Sequence, residues 1–171
     1  MARNSSRTAV NTLILWRRLG KRKYSEHLYD VCTSVFDKLP LAAVVNKQFF
    51  CAHGGISPHM QTVEDLRVID RFQEPPSTGL MCDVLWSDPA EGSIESSDKT
   101  DFVSNAARGC SYYYTYEAVC KFLKRNKLLS VIRGHEAQKE GYRMYKKTPH
   151  GFPSVITVFR SVTFQFLEFQ G

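Results

Sequence analysis

The chain has 171 residues, of which 43% are hydrophobic and 23% charged, and these values are typical of one globular domain with a hydrophobic core. Its formal net charge of +6 is unevenly distributed, because residues 1–25 contain seven lysines or arginines and no acidic residue. The rest of the chain is nearly balanced, which argues against a nucleic-acid-binding surface. No apolar run approaches the roughly 20 residues of a membrane helix. We therefore expect a soluble protein with neither nucleic acid nor membrane as a partner.

The N-terminal residues 1–22 are predicted to be a basic leader without ordered structure. Their content of Arg, Ser, Thr and Asn without acids is also typical of a mitochondrial transit peptide. Two other interpretations stay open, a solvated leader and a start codon placed inside a longer gene. We expect a cytoplasmic location, with mitochondria as the alternative.

The five cysteines are odd in number and include no Cys-x-x-Cys pair. Most of them have apolar neighbours in the sequence. They are therefore predicted to be reduced, buried thiols of an intracellular protein.

The first half of the chain alternates helical and strand patterns. Apolar residues at helical spacing predict a helix from Tyr24 to Leu39, and Pro40 ends it. Two short strands, residues 41–45 and 48–52, are predicted around an Asn46-Lys47 turn. Thr62 begins a short helix with acidic residues in its first turn.

The second half begins with a loop, because residues 74–79 are rich in Pro, Ser and Gly. Residues 90–101 are polar and are predicted to be a surface insertion. An amphipathic helix follows over residues 115–124, with Val119, Phe122 and Leu123 inward. The remaining predicted strands are residues 128–132, 142–145 and 155–159. Together these elements predict an α+β fold.

Two of the predicted strands end in a histidine beside glycine. The run ending at Ala52 is followed by His53-Gly54-Gly55, and the run ending at Ile132 by Arg133-Gly134-His135. Glycine allows a tight turn and close approach of a ligand, and neutral imidazole is a common ligand of zinc, iron and manganese. The pair therefore predicts half of a metal site, although each could be a hydrogen-bonded loop residue. The other histidines, in helical or Pro-flanked polar contexts, are not predicted ligands: His27, His59 and His150.

An arginine lies between these two histidines in the sequence. Arg108 is followed by Gly109 at a loop-like position before the second helix. A guanidinium with little bulk beside it suits bidentate binding of phosphate, and the alternative is a surface arginine in a salt bridge. Two strand-end histidines with such an arginine favour metal-assisted phosphoryl hydrolysis.

These residues resemble, in order and spacing, the metal-dependent serine/threonine phosphoprotein phosphatases of the metallophosphoesterase superfamily. The motifs are His53-Gly54-Gly55-Ile56-Ser57-Pro58, Leu85-Trp86-Ser87-Asp88-Pro89, Arg108-Gly109 and Gly134-His135-Glu136. Further segments are similar to calcineurin catalytic subunits: Asp70-Arg71-Phe72-Gln73-Glu74-Pro75-Pro76, Gly109-Cys110-Ser111-Tyr112-Tyr113-Tyr114, and His135-Glu136-Ala137-Gln138 followed by Gly141-Tyr142-Arg143-Met144-Tyr145.

The resemblance implies a sandwich of two β-sheets with helices outside and two metal ions (iron, zinc or manganese) at the strand ends. It implies that His53 and His135 bind one metal ion, that Arg108 binds the phosphate and that Trp86 lines an apolar substrate groove. The implied reaction is hydrolysis of phosphoserine and phosphothreonine in proteins by metal-activated water.

The chain also departs from the family pattern. The upstream motifs Gly-Asp-x-His-Gly, Gly-Asp-x-x-Asp-Arg-Gly and Gly-Asn-His-Glu do not occur, and the Phe-Ser-Ala-Pro-Asn-Tyr motif is replaced from Phe159 onward. Residues 23–159 are thus expected to be a partial catalytic domain, the C-terminal half of an incomplete sandwich, and residues 160–171 a divergent tail.

This division sets the functional expectations. At most one partial metal site and little or no turnover are expected of the chain alone. Phosphoproteins are the expected substrates, whereas the segments that bind the family partners calcineurin B and calmodulin are expected to be absent. The alternative function is a non-catalytic fragment that acts as an interaction module.

Overall fold

The computed structural model describes residues 21–92, 94–95 and 100–159. Most of the predicted leader and the whole predicted tail lie outside the described residues. The helices are α1 Glu26–Phe36, α2 Leu80–Trp86, α3 Tyr116–Asn126 and a 3₁₀ helix, Val63–Val68. The strands are β1 Ala42–Val45, β2 Phe49–Ala52, β3 Asp88–Pro89, β4 Phe102–Ser104, β5 Tyr112–Tyr114, β6 Ser130–Arg133, β7 Tyr142–Met144 and β8 Val155–Val158.

The larger sheet has the strand order β1-β2-β6-β8-β7. Its three central strands β2, β6 and β8 are parallel, and β1 and β7 add to the edges in antiparallel fashion. Residues 46–48 connect β1 to β2, and Asn46 and Lys47 in this turn have φ angles of 52° and 55°. Two successive positive φ angles, with the Gln48 amide donating to the Val45 carbonyl (3.0 Å), are typical of turns that match the twist of the flanking strands. The predicted hairpin is therefore correct.

The smaller sheet has the order β3-β5-β4 and brings a second layer to the fold. Between the elements lies a hydrophobic core that includes Phe50, Tyr114, Val119 and Val131, each no more than 1% exposed. Two sheets with few helices confirm the predicted α+β class.

Helix α3 forms as predicted. The Thr115 hydroxyl accepts a hydrogen bond from the Ala118 amide (3.3 Å), and the predicted inward side chains Val119, Phe122 and Leu123 are buried. Phe122 packs edge-on against Phe50 of β2, with ring centroids 5.2 Å apart. This contact attaches the helix to the strand that precedes His53.

Helix α1 is shorter than predicted and its apolar face is not covered. It begins after Ser25, whose hydroxyl accepts from the Leu28 amide (3.1 Å), and ends at Phe36. Leu28, Val31 and Val35 are 45%, 44% and 49% exposed. Within the described residues this apolar face is therefore largely exposed, because helical periodicity identifies an apolar face without specifying what packs on it.

Other differences come from contacts between distant segments. The sequence pattern missed α2 and the smaller sheet. The predicted surface insertion 90–101 is wrong at its first residue, since Ala90 is buried and its amide donates to the Tyr114 carbonyl (2.8 Å). Residues 93 and 96–99 of that segment lie outside the described residues.

The five cysteines are unpaired, but their predicted burial is largely wrong: Cys82 is buried, Cys32 is exposed, and Cys51, Cys110 and Cys120 are half-buried. Among the described ranges, no helix is long and apolar enough to cross a membrane.

The uncovered face of α1 predicts self-association. We expect replacement of Leu28, Val31 and Val35 by Gln to reduce the oligomer fraction in sedimentation velocity. Because these side chains bury little apolar surface in the folded chain, the free energy of unfolding should change by no more than about 0.5 kcal/mol. As a control, Val119→Ser in the core should cost about 1–3 kcal/mol. Unchanged oligomerisation in the triple variant would show that another surface drives association.

Candidate metal and phosphate site

The two strand-end histidines meet because their strands are parallel neighbours. In the register of β2 and β6, Ala52 pairs with Arg133, so His53 and Gly134 follow at the same edge of the sheet. The Gly134 amide donates to the His53 carbonyl (3.1 Å). His135 has φ 67°, and this left-handed backbone turns its side chain back toward His53. His135 Nδ1 lies 3.0 Å from His53 Nε2, with ring centroids 4.9 Å apart.

This separation fits two ligands of one ion. Bonds of about 2.0–2.1 Å to a tetrahedral ion place two nitrogen ligands roughly 3.3 Å apart. His135 Nε2 is buried without a hydrogen-bond partner, whereas its Nδ1 faces His53. Across residues 21–92, 94–95 and 100–159, no group of three or more His, Cys, Asp or Glu residues could hold a metal ion. The described part of the chain therefore fits two positions of a coordination shell and leaves the others to water or other groups.

The surroundings keep both imidazoles neutral. Burial, followed by the positive charges of Arg133 and Arg108, lowers the pKa of His53. Burial and the Arg108 charge lower the pKa of His135 to about 4. Because only a neutral imidazole has a lone pair for a metal, both rings are in the ligand form at neutral pH.

Arg108 is held next to the histidines by a buried carboxylate. Its Nε donates to Asp88 Oδ2 (2.8 Å) and its Nη2 to Asp88 Oδ1 (3.3 Å), while Asn105 Nδ2 also donates to Oδ2 (2.9 Å). Burial alone raises the pKa of Asp88, but the hydrogen bond and charge of Arg108, with the charge of Arg133, bring it below its usual value. The Arg108 side chain remains 29% exposed. Arg108 is thus in a salt bridge and still accessible beside the histidine pair.

Arg133 joins the two halves of the site. Its side chain is fully buried, and each of its five N–H groups has an acceptor: Nε donates to the Gly54 carbonyl, Nη1 to Glu136 Oε2 (2.6 Å) and Thr157 Oγ1 (3.4 Å), and Nη2 to Asp88 Oδ1 (2.7 Å) and the Ser87 carbonyl (3.3 Å). Sequence reasoning assigned no role to Arg133 or Asp88. The available signal for Arg133 was a charged residue directly after the apolar end of a predicted strand, and for Asp88 an acidic residue inside the quoted motif Leu85-Trp86-Ser87-Asp88-Pro89.

Trp86 reaches the site because Gly54 lets α2 approach closely. The Gly54 amide donates to the Val84 carbonyl (2.8 Å), and a Cβ at Gly54 would lie 2.7 Å from the backbone of Leu85 and Trp86. A side chain there would push the helix end away. The Trp86 ring stands edge-on to His135 with a centroid distance of 5.2 Å. The structure therefore brings together all four predicted site residues, and His27, His59 and His150 lie elsewhere.

Comparison with known proteins agrees with this geometry. A family model described as calcineurin-like phosphoesterase matches residues 15–139. The chain belongs to this family. Its members use divalent metal ions.

The similar proteins are named as protein phosphatases. The chain is 54% identical over 145 residues to the serine/threonine-protein phosphatase 2B catalytic subunit A1 of Saccharomyces cerevisiae, covering 80% of this chain and 26% of the relative. Identity to the A2 subunit of the same yeast is 46% over 162 residues, covering 80% and 27%. A serine/threonine-protein phosphatase 4 catalytic subunit from Eremothecium gossypii is 42% identical over 123 residues, covering 71% and 37%.

A solved structure supports the fold. A S. cerevisiae serine/threonine phosphatase, described as similar to human phosphatase PP5, superposes with a TM-score of 0.66 at 29% identity, covering 81% of this chain and 40% of that one. This chain spans about a quarter of the length of the phosphatase 2B relatives that it matches.

The depressed pKa of His135 predicts a pH dependence of stability. Below about pH 6.5 the unfolded chain takes up a proton on this imidazole that the folded chain does not, so the free energy of unfolding falls as pH decreases, and this loss is complete near pH 4. Asparagine tolerates the left-handed backbone at position 135, so His135→Asn should remove this decrease in the free energy of unfolding between about pH 6.5 and pH 4. Urea unfolding of both proteins between pH 7.5 and 4 measures the difference. Parallel profiles would contradict the prediction.

The Asp88 network predicts a large stability effect. Asp88→Asn leaves the buried Arg133 charge without its anionic partner and should lower the free energy of unfolding by about 3–5 kcal/mol. The matched control is Asp101→Asn, because Asp101 pairs with Lys121 (2.6 Å) at the surface. Its cost should be no more than about 1 kcal/mol. Equal losses in urea unfolding would show that Asp88 does not stabilise the site.

Proposed function

We propose that the chain forms part of the active site of a protein phosphatase that hydrolyses phosphoserine and phosphothreonine. The observation that carries this proposal is the 3.0 Å contact between the ring nitrogens of His53 and His135 beside Arg108. Phosphatase names among relatives with 42–54% identity support it. The proposed substrates are phosphoproteins, and the proposed location is the cytoplasm.

The metal ligands in this proposal are His53 Nε2 and His135 Nδ1. These atoms would hold one iron, zinc or manganese ion, which when bound supplies Lewis-acid activation of water and of a phosphoryl oxygen. Two imidazoles without a carboxylate make a weaker site than three or four protein ligands. Because the pKa of each ring is lowered, both rings are already neutral at neutral pH without a metal ion. Metal binding therefore needs to release few protons from them.

The phosphate ligand in this proposal is Arg108. Its hydrogen bonds to Asp88 use Nε and one N–H of Nη2, so the two N–H groups of Nη1 and the second N–H of Nη2 can donate to phosphoryl oxygens without breaking them. Asp88 fixes the guanidinium plane, and this lowers the entropy lost on binding. Trp86, half-buried next to His135, would form the apolar side of the substrate groove.

A binding experiment tests the proposal. A fluorescein-labelled phosphoserine peptide should bind the full chain more tightly with Mn²⁺ than without it, as measured by anisotropy. Arg108→Gln should weaken binding about tenfold or more, because a charge-assisted hydrogen bond is lost.

The matched control is Arg143→Gln, which removes the same charge from an ion pair with Glu91 at the surface (2.7 Å). It should bind like the parent. Equal affinity of the parent and Arg108→Gln, or equal binding of the unphosphorylated peptide, would overturn the assignment.

A second prediction concerns turnover. With Mn²⁺, the chain alone should hydrolyse a small phosphomonoester no faster than buffer, because the described residues supply two imidazoles and no carboxylate to a metal. His53→Ala is the reference for any contaminating activity. A Mn²⁺-dependent rate well above that reference would show that the two histidines suffice for catalysis.

A further inference from the structure

A basic groove runs along the free edge of the larger sheet, away from the histidine pair. It lies between the edge strand β1 and the 3₁₀ helix Val63–Val68, and its volume is about 660 Å³. Its apolar floor includes Leu41, Val44, Val63, Leu66 and Leu128. An edge strand presents unpaired backbone groups, which can add a further strand.

The rim of the groove has an excess of positive charge. Lys47, Arg67 and Arg71 line it, and Glu64 is the acidic residue among the lining side chains. Glu64 already forms an ion pair with Arg67. Within the described ranges, neither Lys47 nor Arg71 pairs with a carboxylate. Two cations therefore remain uncompensated beside an apolar floor.

Arg71 also has an unused donor. Its Nε is buried and has no hydrogen-bond partner, and its guanidinium lies 4.6 Å from the Phe72 ring centroid. A buried N–H without an acceptor is costly, and such groups in native proteins usually meet a ligand or water. A carboxylate is the acceptor that satisfies both the donor and the charge.

The wall opposite β1 is rigidly attached to the fold. Asn126 at the end of α3 accepts from the Val63 amide through Oδ1 (3.0 Å) and donates through Nδ2 to the Gln61 carbonyl (3.2 Å). Asp65 closes the start of the 3₁₀ helix by accepting from the Gln61 and Thr62 amides (2.8 Å each). A preformed wall reduces the ordering cost of binding.

We infer that this groove binds an extended acidic peptide that adds as a strand to β1. Alternate apolar side chains of the peptide enter the floor, since residues i and i+2 of a strand share one face. A carboxylate near them pairs with Arg71 and a second with Lys47. This site is independent of the histidines and of the proposed phosphatase activity.

The test uses the full chain and a fluorescein-labelled eight-residue peptide of alternating valine and aspartate. Anisotropy should show binding that weakens about tenfold in Arg71→Gln and in Lys47→Asn, since each loses a charge-assisted contact. Asn suits the positive φ of residue 47, so this second variant keeps the turn. Lys139→Gln, which removes one charge from an exposed loop outside the groove, is the matched control and should bind like the parent.

Two further peptides separate strand addition from simple charge attraction. A peptide with lysine in place of aspartate should not bind, and one with alternate N-methylated residues should bind at least tenfold more weakly, because it cannot pair with β1. Amide hydrogen exchange at residues 43–45 should slow when the valine–aspartate peptide binds.

Several outcomes would overturn the inference. These are the absence of binding at millimolar peptide, equal affinity of Arg71→Gln, Lys47→Asn and Lys139→Gln, and protection at β7 instead of β1. Protection, before any peptide is added, of the β1 amides that do not donate to β2 would also overturn it, because a second copy or another segment of the chain would then occupy the edge.

Discussion

The site depends on one buried guanidinium. Arg133 carries a full positive charge into a region from which water is excluded, and such a charge is tolerated only when every N–H is satisfied and an anion is close. Its five donors reach the turn after His53, the end of α2, β3, β8 and the loop after His135. One side chain thus holds together the elements that carry both histidines, Trp86 and the Asp88–Arg108 pair.

Charge balance explains how a cation site can exist beside two arginines. Arg108 and Arg133 bring two positive charges, and Asp88 and Glu136 bring two negative ones through direct hydrogen bonds. Burial is the main factor that disfavours the protonated imidazoles, and the charges of Arg108 and Arg133 act in the same direction. The arginine charges that would repel a metal ion therefore also help to keep the two candidate nitrogen ligands neutral. Arg108 can then offer positive charge to an anion while its own charge is partly compensated by Asp88.

Sequence reasoning performed well where a local pattern carried the information. The hairpin of β1 and β2 and the inward face of α3 follow from periodicity and turn residues, and His53 and His135 were identified because each follows an apolar run and adjoins glycine. Reasoning failed where partners are distant. β5 is a run of three tyrosines that becomes a strand only between β3 and β4. Asp88 looks like any acidic residue before proline until Arg108, Asn105 and Arg133 surround it.

By itself the sequence determined the class of elements, the family resemblance and four candidate site residues, because periodicity, capping residues and short motifs act over a few residues. The tertiary structure alone decided that β2 and β6 are parallel neighbours in a register that places two imidazole nitrogens 3.0 Å apart. It also decided that Arg108 is held by Asp88 and that the apolar face of α1 is uncovered. The physical reason is that strand register, burial and charge pairing arise from contacts between segments far apart in the chain, and no local pattern records them.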